Sequence, residues 1–576
     1  MSNHSGTTSR QARNIEIAGA LKASWLPMIV IALAQIQMGF NVNALAISMG
    51  SIVEDLGVSP ATVGTALVIY SLAVAGLVMI GAKVGRIIGS RLAFQIGIGA
   101  HGASMAMMAI STNELMMGAA QLIAGVAAAL AVPALVVMIT AHYHGSQQEQ
   151  SLGLLGAAQA SSSALAFLVV GLLSTVVSWR WSFVLLVILG AINIVLSFRL
   201  MAVERRSGIR IDWVGAVFAA AAITLISLGF NNVGSWGLIV ASSGAPFDIG
   251  GVSPAPIMIV GGIAIGQLFF SWLRRQESLR KPTLFAIETL ETREERSATI
   301  ALLIIAAIGP AVNFLLPLYI QIVQGRSVME TAIAIVPYAA AIFIGTTFVV
   351  RVYGILAPRQ IGRYGFIMVA FGLFVLAHSV NNEWGTPSVI GALLIVGLGE
   401  GALLTLMFNV LVSASPKELS GDVGALRGTT NNLATGLGTA IASVLAIAVL
   451  GLVVSASIAE SPILPPTVAD QLYLDNVDFI SNDDLAAALT ANTDATTDQI
   501  AELVRINTDA RLRALTITFQ VLAVLTLLGI VPASGLPPYR RGEVPVDLNV
   551  GKYDEDDPDF DIGGHATTRA SIHGQT

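Results

Sequence analysis

The chain has 576 residues, of which 55% are hydrophobic and only 11% carry a formal charge, whereas about 25% of residues are charged in an ordinary soluble domain. So few charged side chains cannot cover the surface of a soluble protein of this length, which excludes a soluble globular enzyme and a disordered chain. The net charge of -6 argues against a nucleic-acid partner, and the absence of cysteine excludes disulfides and thiolate metal sites.

Fourteen apolar stretches are long enough to cross the hydrocarbon core of a bilayer as helices, which takes about 20 residues each. They predict an all-α polytopic membrane protein with the lipid bilayer as its surroundings. The predicted spans are residues 25–48, 62–82, 92–111, 115–141, 152–177, 181–201, 213–234, 256–273, 298–320, 331–350, 366–380, 388–413, 423–455 and 513–533.

Basic residues are distributed unequally between the two sides of these spans. With the N-terminus inside, 25 of the 30 Lys and Arg residues are counted with inside segments, among them Lys417 between the twelfth and thirteenth spans and Arg427 at the start of the thirteenth. Since cytoplasmic loops carry an excess of Lys and Arg, this bias predicts a multi-pass protein of the cell membrane with both termini in the cytoplasm.

Three segments outside the spans complete the predicted organisation. Residues 1–24 form a cytoplasmic N-terminal tail, and residues 534–576 form a cytoplasmic tail whose Pro, Asp and Gly content is typical of disorder. Residues 456–511 form an outer loop with ten acidic residues, in which the stretch from Asn482 to Arg505 is expected to form one or two helices.

Amide side chains recur inside the predicted spans. Gln37 and Asn41 lie four residues apart on one face of the first span, and Gln121, Gln159 and Asn313 lie in the fourth, fifth and ninth spans. Polar groups are costly in lipid unless they face a partner or water. They are therefore candidates for lining a substrate cavity, and the alternative is hydrogen bonding between helices.

Glu400 is the acidic residue nearest to the centre of a span, within the sequence Val396-Gly397-Leu398-Gly399-Glu400-Gly401. A carboxyl group at this depth is protonated, paired, or in a water-filled cavity. The functional interpretation is a proton carrier or a counter-ion for a cationic substrate. The alternative is a neutral, hydrogen-bonded carboxyl group with a structural role.

Several motifs together resemble the major facilitator superfamily, in particular its fourteen-helix drug:proton antiporter-like branch of the multidrug resistance B and quaternary-ammonium resistance type. The motifs are Ser51 to Gly57 after the first span, Trp179-Arg180-Trp181 before the sixth, Leu316-Pro317-Leu318-Tyr319-Ile320-Gln321 at the end of the ninth, and the stretch from Gly397 to Gly438.

The resemblance implies two six-helix bundles at residues 25–201 and 298–533, joined by two extra helices at 213–273. It also implies that a small-molecule substrate binds between the bundles near the middle of the membrane, with protons as the candidate coupling ion, and that rocking of the bundles exposes the substrate to alternate sides.

Charged residues typical of that branch are missing at several positions. Asn41 occupies the position of a first-span acid, and Gln121 aligns with a fourth-span arginine, so these two amides are interpreted as a neutralised pair. Arg86 replaces the loop acid within Gly85 to Gly89, so Lys83, Arg86 and Arg91 are expected to form a cytoplasmic gate with altered charge pairing.

These observations predict a secondary active or facilitative transporter of a small organic solute that works as an exporter by alternating access, rather than an enzyme. The candidate cavity residues are Gln37, Asn41, Gln121, Gln159, Asn313 and Glu400, with Glu400 as the coupling candidate. No cofactor or metal site is predicted. The alternative is a transport-inactive scaffold or sensor that docks an envelope protein through the acidic loop 456–511.

Overall fold

The computed structural model describes residues 23–538, apart from 59, 204, 206–208, 243, 354, 384–386, 416–418, 465–481 and 494. Most of the predicted N-terminal tail, part of the outer loop and nearly all of the C-terminal tail therefore lie outside the described residues. The described chain is helical, and its only β pairing consists of isolated bridges from Val240 and Ile249 to Val252. This follows from the composition, because a helix satisfies its own backbone hydrogen bonds in lipid.

Six long helices and one short helix make up the first bundle. They are α1 (Leu26–Ile47), the short α2 (Met49–Leu56), α3 (Pro60–Ile88), α4 (Ser90–Ala109), α5 (Glu114–His142), α6 (Gly145–Val176) and α7 (Arg180–Ser197). The turn before α5 is fixed by Asn113, whose side chain accepts a hydrogen bond from the backbone N–H of Met116 and caps the helix.

Two helices that pack closely on each other, α8 (Trp213–Trp236) and α9 (Pro254–Ser278), connect the two bundles. The second bundle consists of α10 (Arg293–Pro317), α11 (Val328–Val352), α12 (Pro358–Ser379), α13 (Pro387–Ala414), α14 (Ser420–Glu460), the short α15 (Asn482–Asn492), α16 (Thr497–Leu527) and the short α17 (Ile530–Ala533). Capping boxes start three of these helices, from Thr292, Ser327 and Thr496.

The helix count agrees with the fourteen predicted spans. Thirteen of the described helices are long and apolar enough to cross a membrane. The fourteenth long helix is α6, whose 32 residues pack against α1 and α11. The last residue of α10 is Pro317, and a π-helical turn, Leu318–Val323, continues directly from it. The change of helix type occurs at the proline, which disturbs regular α-helical hydrogen bonding.

Two helices of the second bundle are longer than a membrane requires. The 41 residues of α14 extend about 60 Å at the usual rise of an α-helix, twice the thickness of the hydrocarbon core. The last long helix, α16, begins at Thr497 rather than near residue 513. The predicted outer loop is therefore largely helical where it is described, with α15 packed on α16.

Contacts between helix ends define two faces of the molecule. At the face where α1 begins, called the N-terminal face, the backbone N–H of Met28 donates to the Tyr143 hydroxyl at 2.9 Å. Arg86 and Asp422 also pair at this face. At the far face, Arg180 pairs with Asp55.

The two bundles contact each other through few helices. The first bundle's α6 packs against α11 and α13, and the second bundle's α14 packs against α3 and α5, as well as against α8. Close approach is possible at Gly424 of α14, where an added Cβ would lie 3.1 Å from Cα of Pro133 and from a methyl group of Val136. These helix pairs enclose the space described next.

Candidate functional site

A cavity of about 440 Å³ lies between the bundles and is lined by both. The first bundle contributes residues of α1, α3, α5 and α6, and the second contributes residues of α10, α11, α13 and α14. The polar lining residues are Gln35, Asn43, Tyr70, Ser71, Gln159, Ser162, Asn313, Tyr338, Glu400, Thr405, Arg427, Asn431, Asn432, Thr435 and Thr439. A mainly apolar cavity of this size with convergent polar groups suits a drug-sized organic ligand.

Glu400 of α13 lies in the wall of this cavity with 4% of its surface exposed. The Tyr338 hydroxyl of α11 donates a hydrogen bond to its Oε2 atom. The two helices can approach because Gly397 has no side chain, and a Cβ there would lie only 2.6 Å from the Tyr338 carbonyl oxygen. A carboxyl group held in this way can exchange a proton with the cavity or face a cationic group.

Arg427 of α14 is the second charged residue in the lining. Its guanidinium group donates to Oε1 of Gln159 on α6 at 2.9 Å and lies 4.8 Å from the ring centroid of Phe408 on α13. Arg427 therefore connects the bundles across the cavity, and both of these partners are uncharged.

Three of the six predicted cavity residues, Gln159, Asn313 and Glu400, line the cavity. The other three pack inside the first bundle and are not among its lining residues. Asn41 and Gln121 are fully buried and exchange two hydrogen bonds, of 3.0 and 3.2 Å, between α1 and α5.

Gln37 also lies inside the first bundle and contacts two further buried polar side chains. Its amide nitrogen lies 3.2 Å from Nδ1 of His101 on α4, and its amide oxygen lies 3.2 Å from the amide of Asn193 on α7. Hydrogen bonding between helices thus accounts for Gln37, Asn41 and Gln121 in this structure. The cavity is faced instead by Gln35 and Asn43 of the same helix.

The three predicted gate residues have different partners. Lys83 Nζ lies 3.4 Å from Oδ1 of Asp422, and the Arg86 guanidinium pairs with Oδ2 of the same carboxylate. Because Asp422 begins α14, these ion pairs connect the bundles at the N-terminal face. Arg91 stays within the first bundle, where it donates to the Phe198 carbonyl oxygen at 3.0 Å.

Sequence reasoning missed Asp422, Arg427 and Tyr338 as members of the site. Asp422 lies in the first turn of its helix, where an acid is common for reasons of the helix dipole alone. The charge distribution counts Arg427 with an inside segment, although it lies within α14 and lines the cavity. A basic residue a few positions inside a predicted span was the available signal for Arg427.

The profile of the Major Facilitator Superfamily matches residues 29–439. The chain is 22% identical to the probable actinorhodin transporter of Streptomyces coelicolor, over 75% of this chain and 74% of the relative. It is 25% identical to a puromycin resistance protein of Streptomyces alboniger, over 72% and 80% of the two chains.

Among solved structures, the chain is similar to the human organic anion transporter MFSD10 (TETRAN), with a TM-score of 0.55. The similarity covers 88% of this chain and 99% of the other, at 11% sequence identity. At this identity the likeness establishes a shared fold and carries no information on the compound bound.

Proposed function

The chain belongs to the major facilitator superfamily, and from this premise we propose that it exports small organic compounds of the antibiotic class by alternating access. It is a multi-pass membrane transporter, and the observation that carries the proposal is the drug-sized cavity, to which both bundles contribute polar side chains. Export is supported by relatives named for transport of, or resistance to, an antibiotic. Neither name favours the transport-inactive scaffold.

The orientation proposed for the cell membrane places the N-terminal face in the cytoplasm. It is supported by the excess of Lys and Arg in segments at that face. In this orientation the ion pairs of Asp422 with Lys83 and Arg86 connect the bundles on the cytoplasmic side, and we assign them the role of a closed cytoplasmic gate.

Proton coupling is proposed to run through Glu400. Its carboxyl group lines the cavity and bonds to Tyr338, so loss or gain of a proton changes both the charge of the cavity and a contact between α13 and α11. Asn41 occupies the position of the first-span acid in the branch that this chain resembles, and an asparagine cannot carry the coupled proton.

Proteoliposomes loaded with a pH-sensitive dye test this proposal. Under an imposed pH gradient, puromycin and an antibiotic that carries a carboxyl group are each added to wild-type protein, to Glu400→Gln, and to Glu277→Gln, which makes the same change at an exposed position at the end of α9. We expect compound-dependent proton flux in the wild type and in Glu277→Gln, and its loss in Glu400→Gln.

Two results would contradict the parts of the proposal separately. Equal proton flux in the wild type and Glu400→Gln would show that Glu400 is not the coupling site. Absence of compound-dependent flux, together with absence of raised antibiotic tolerance in cells that express the protein, would argue against export.

A further inference from the structure

Arg427 is an intramembrane cation for which the described residues provide no carboxylate partner. Its guanidinium group has five N–H donors. One hydrogen bond goes to the neutral amide of Gln159, and one face of the group lies over the Phe408 ring. Arg427 is itself one of the residues that line the cavity.

Such a charge is costly in the membrane, where basic side chains are rare and mark ion or substrate pathways. Of the residues that line the cavity, only Glu400 and Arg427 are charged, and Glu400 already accepts a hydrogen bond from Tyr338. Arg427 is therefore the cavity's available group for an anion.

The rest of the cavity lining suits the uncharged part of a larger organic anion, because it combines a few polar groups with many apolar side chains. Thr405 lies one turn before Phe408 on α13, lines the cavity, and has a buried hydroxyl without a hydrogen-bond partner among the described residues. The Gln35 side-chain oxygen is also buried and has no hydrogen-bond partner within the described part of the chain. Apolar side chains provide the rest of the lining, among them Met38, Val42, Val74, Phe314 and Leu404.

We propose that Arg427 binds a carboxylate group of the transported compound, so that the substrates are organic acids with an apolar, ring-bearing body. The inference rests on the proposed export function, because it names the class of compound that occupies the transport cavity. A guanidinium group matches the planar geometry of a carboxylate in a two-point contact. Binding there also engages the residue that connects α14 to Gln159 of the other bundle.

A set of three matched fluorescent probes tests the inference on purified full-length protein in detergent. Anthracene-9-carboxylate, anthracene-9-carboxamide and 9-(aminomethyl)anthracene have the same ring and carry a negative, neutral or positive group. We expect the wild type to bind the carboxylate more tightly than the carboxamide. In Arg427→Gln, carboxylate affinity falls about ten- to a hundred-fold, the loss expected for a charge-assisted hydrogen bond, while carboxamide affinity stays unchanged.

Two further variants separate binding from structure. Arg199→Gln makes the same substitution at an exposed arginine after α7 and is expected to bind all three probes as the wild type does. Arg427→Lys keeps the charge without the two-point geometry, so it retains a smaller preference for the carboxylate. That preference remains measurable even where Arg427→Gln does not fold.

Several outcomes would overturn the inference. They are equal affinity of the wild type for carboxylate and carboxamide, no measurable carboxylate binding, or an unchanged carboxylate preference in Arg427→Gln. Because these titrations need no transport, they are independent of the vesicle experiment. Proton flux without carboxylate preference would overturn only this inference, and carboxylate preference without flux or antibiotic tolerance would overturn only the export proposal.

Discussion

Two neutral amides, Asn41 and Gln121, complete each other's hydrogen bonds inside the first bundle, and neither is among the residues that line the cavity. The charged lining residues, Glu400 and Arg427, both come from the second bundle. At the residue scale, charge is thus absent from the first bundle's share of the lining and present in that of the second. We therefore expect that residues of α13 and α14, rather than of the first bundle, take part in proton coupling and in contacts with charged groups of the substrate.

The amide pair gives a prediction about stability rather than transport. Asn41→Ala or Gln121→Ala alone leaves the other buried amide without its partner, which costs about 1–3 kcal/mol. The double variant removes both groups, so its loss is smaller than the sum of the two. Denaturation in detergent micelles measures the difference, expected to be about 1 kcal/mol as found for helix-to-helix hydrogen bonds in membranes.

The same variants provide their own control on function. Proton flux per folded molecule should persist in all three, because the pair lies behind the cavity wall. Additive losses of stability would show that the two hydrogen bonds contribute nothing, and loss of flux in the stable double variant would place the pair in the transport path.

Sequence patterns determined part of this arrangement. Their spacing correctly places Gln37 and Asn41 on one face of α1, because that follows from helix geometry alone. Which neighbour that face meets depends on packing against α4, α5 and α7, which spacing within one helix does not encode. Sequence patterns did not identify Arg427 as a cavity residue for a related reason. A positive charge near the end of a predicted span indicates a loop, unless the helix is known to begin before that residue.

At the scale of elements, α14 connects the gate to the cavity. Asp422, which pairs with Lys83 and Arg86, and Arg427, which lines the cavity, lie five residues apart on this helix, or about 7–8 Å along its axis. A change in the position of α14 therefore alters both contacts together. The ion pairs are mostly buried, with the Asp422 side chain only 2% exposed, so breaking them has a measurable cost.

Asp422→Asn is expected to open the N-terminal face. Removing the carboxylate takes away the negative charge that Lys83 and Arg86 share in the closed state, which costs about 3–5 kcal/mol for a buried ion pair. The chain has no cysteine, so a single Ser71→Cys in the cavity lining is a specific reporter. Its rate of labelling by a membrane-impermeant maleimide from the N-terminal face should rise at least about tenfold.

Asp55→Asn is the matched control, because Asp55 pairs with Arg180 within the first bundle at the far face and is more exposed. A surface pair of this kind contributes little, so the labelling rate should match that of the parent protein. An unchanged rate in Asp422→Asn would show that the ion pairs do not hold the N-terminal face closed.

Helix existence was easier to predict than helix ends. Runs of about 20 apolar residues identify spans because the bilayer sets their length, and the fourteen predicted spans correspond to fourteen long helices. The polar extensions of α14 to Glu460 and of α16 back to Thr497 carry no such signal. They are helical because they pack against each other and α15 outside the expected thickness of the membrane.

At the scale of the whole molecule, the transport body carries a separate small core at its far face. This cap core consists of Ile458, Leu464, Leu489, Leu503 and Ile506, which pack together apart from the main core. The buried Arg511 connects the cap to the body, since it donates to the Ile322 carbonyl oxygen and to Asn482. None of the cavity-lining residues comes from the cap.

Stability of the cap should therefore be separable from transport. Leu503→Ala removes a buried side chain from the cap core and is expected to cost about 2–5 kcal/mol of local stability. Faster hydrogen exchange should be confined to α15 and the start of α16, while proton flux stays at the wild-type level. Leu315→Ala, a fully buried position of α10 in the main core, is the matched control and should lower the stability of the transport body. If flux fell in Leu503→Ala in proportion to cap exchange, the far-face cap would be a moving part of the transport cycle rather than an attachment to it.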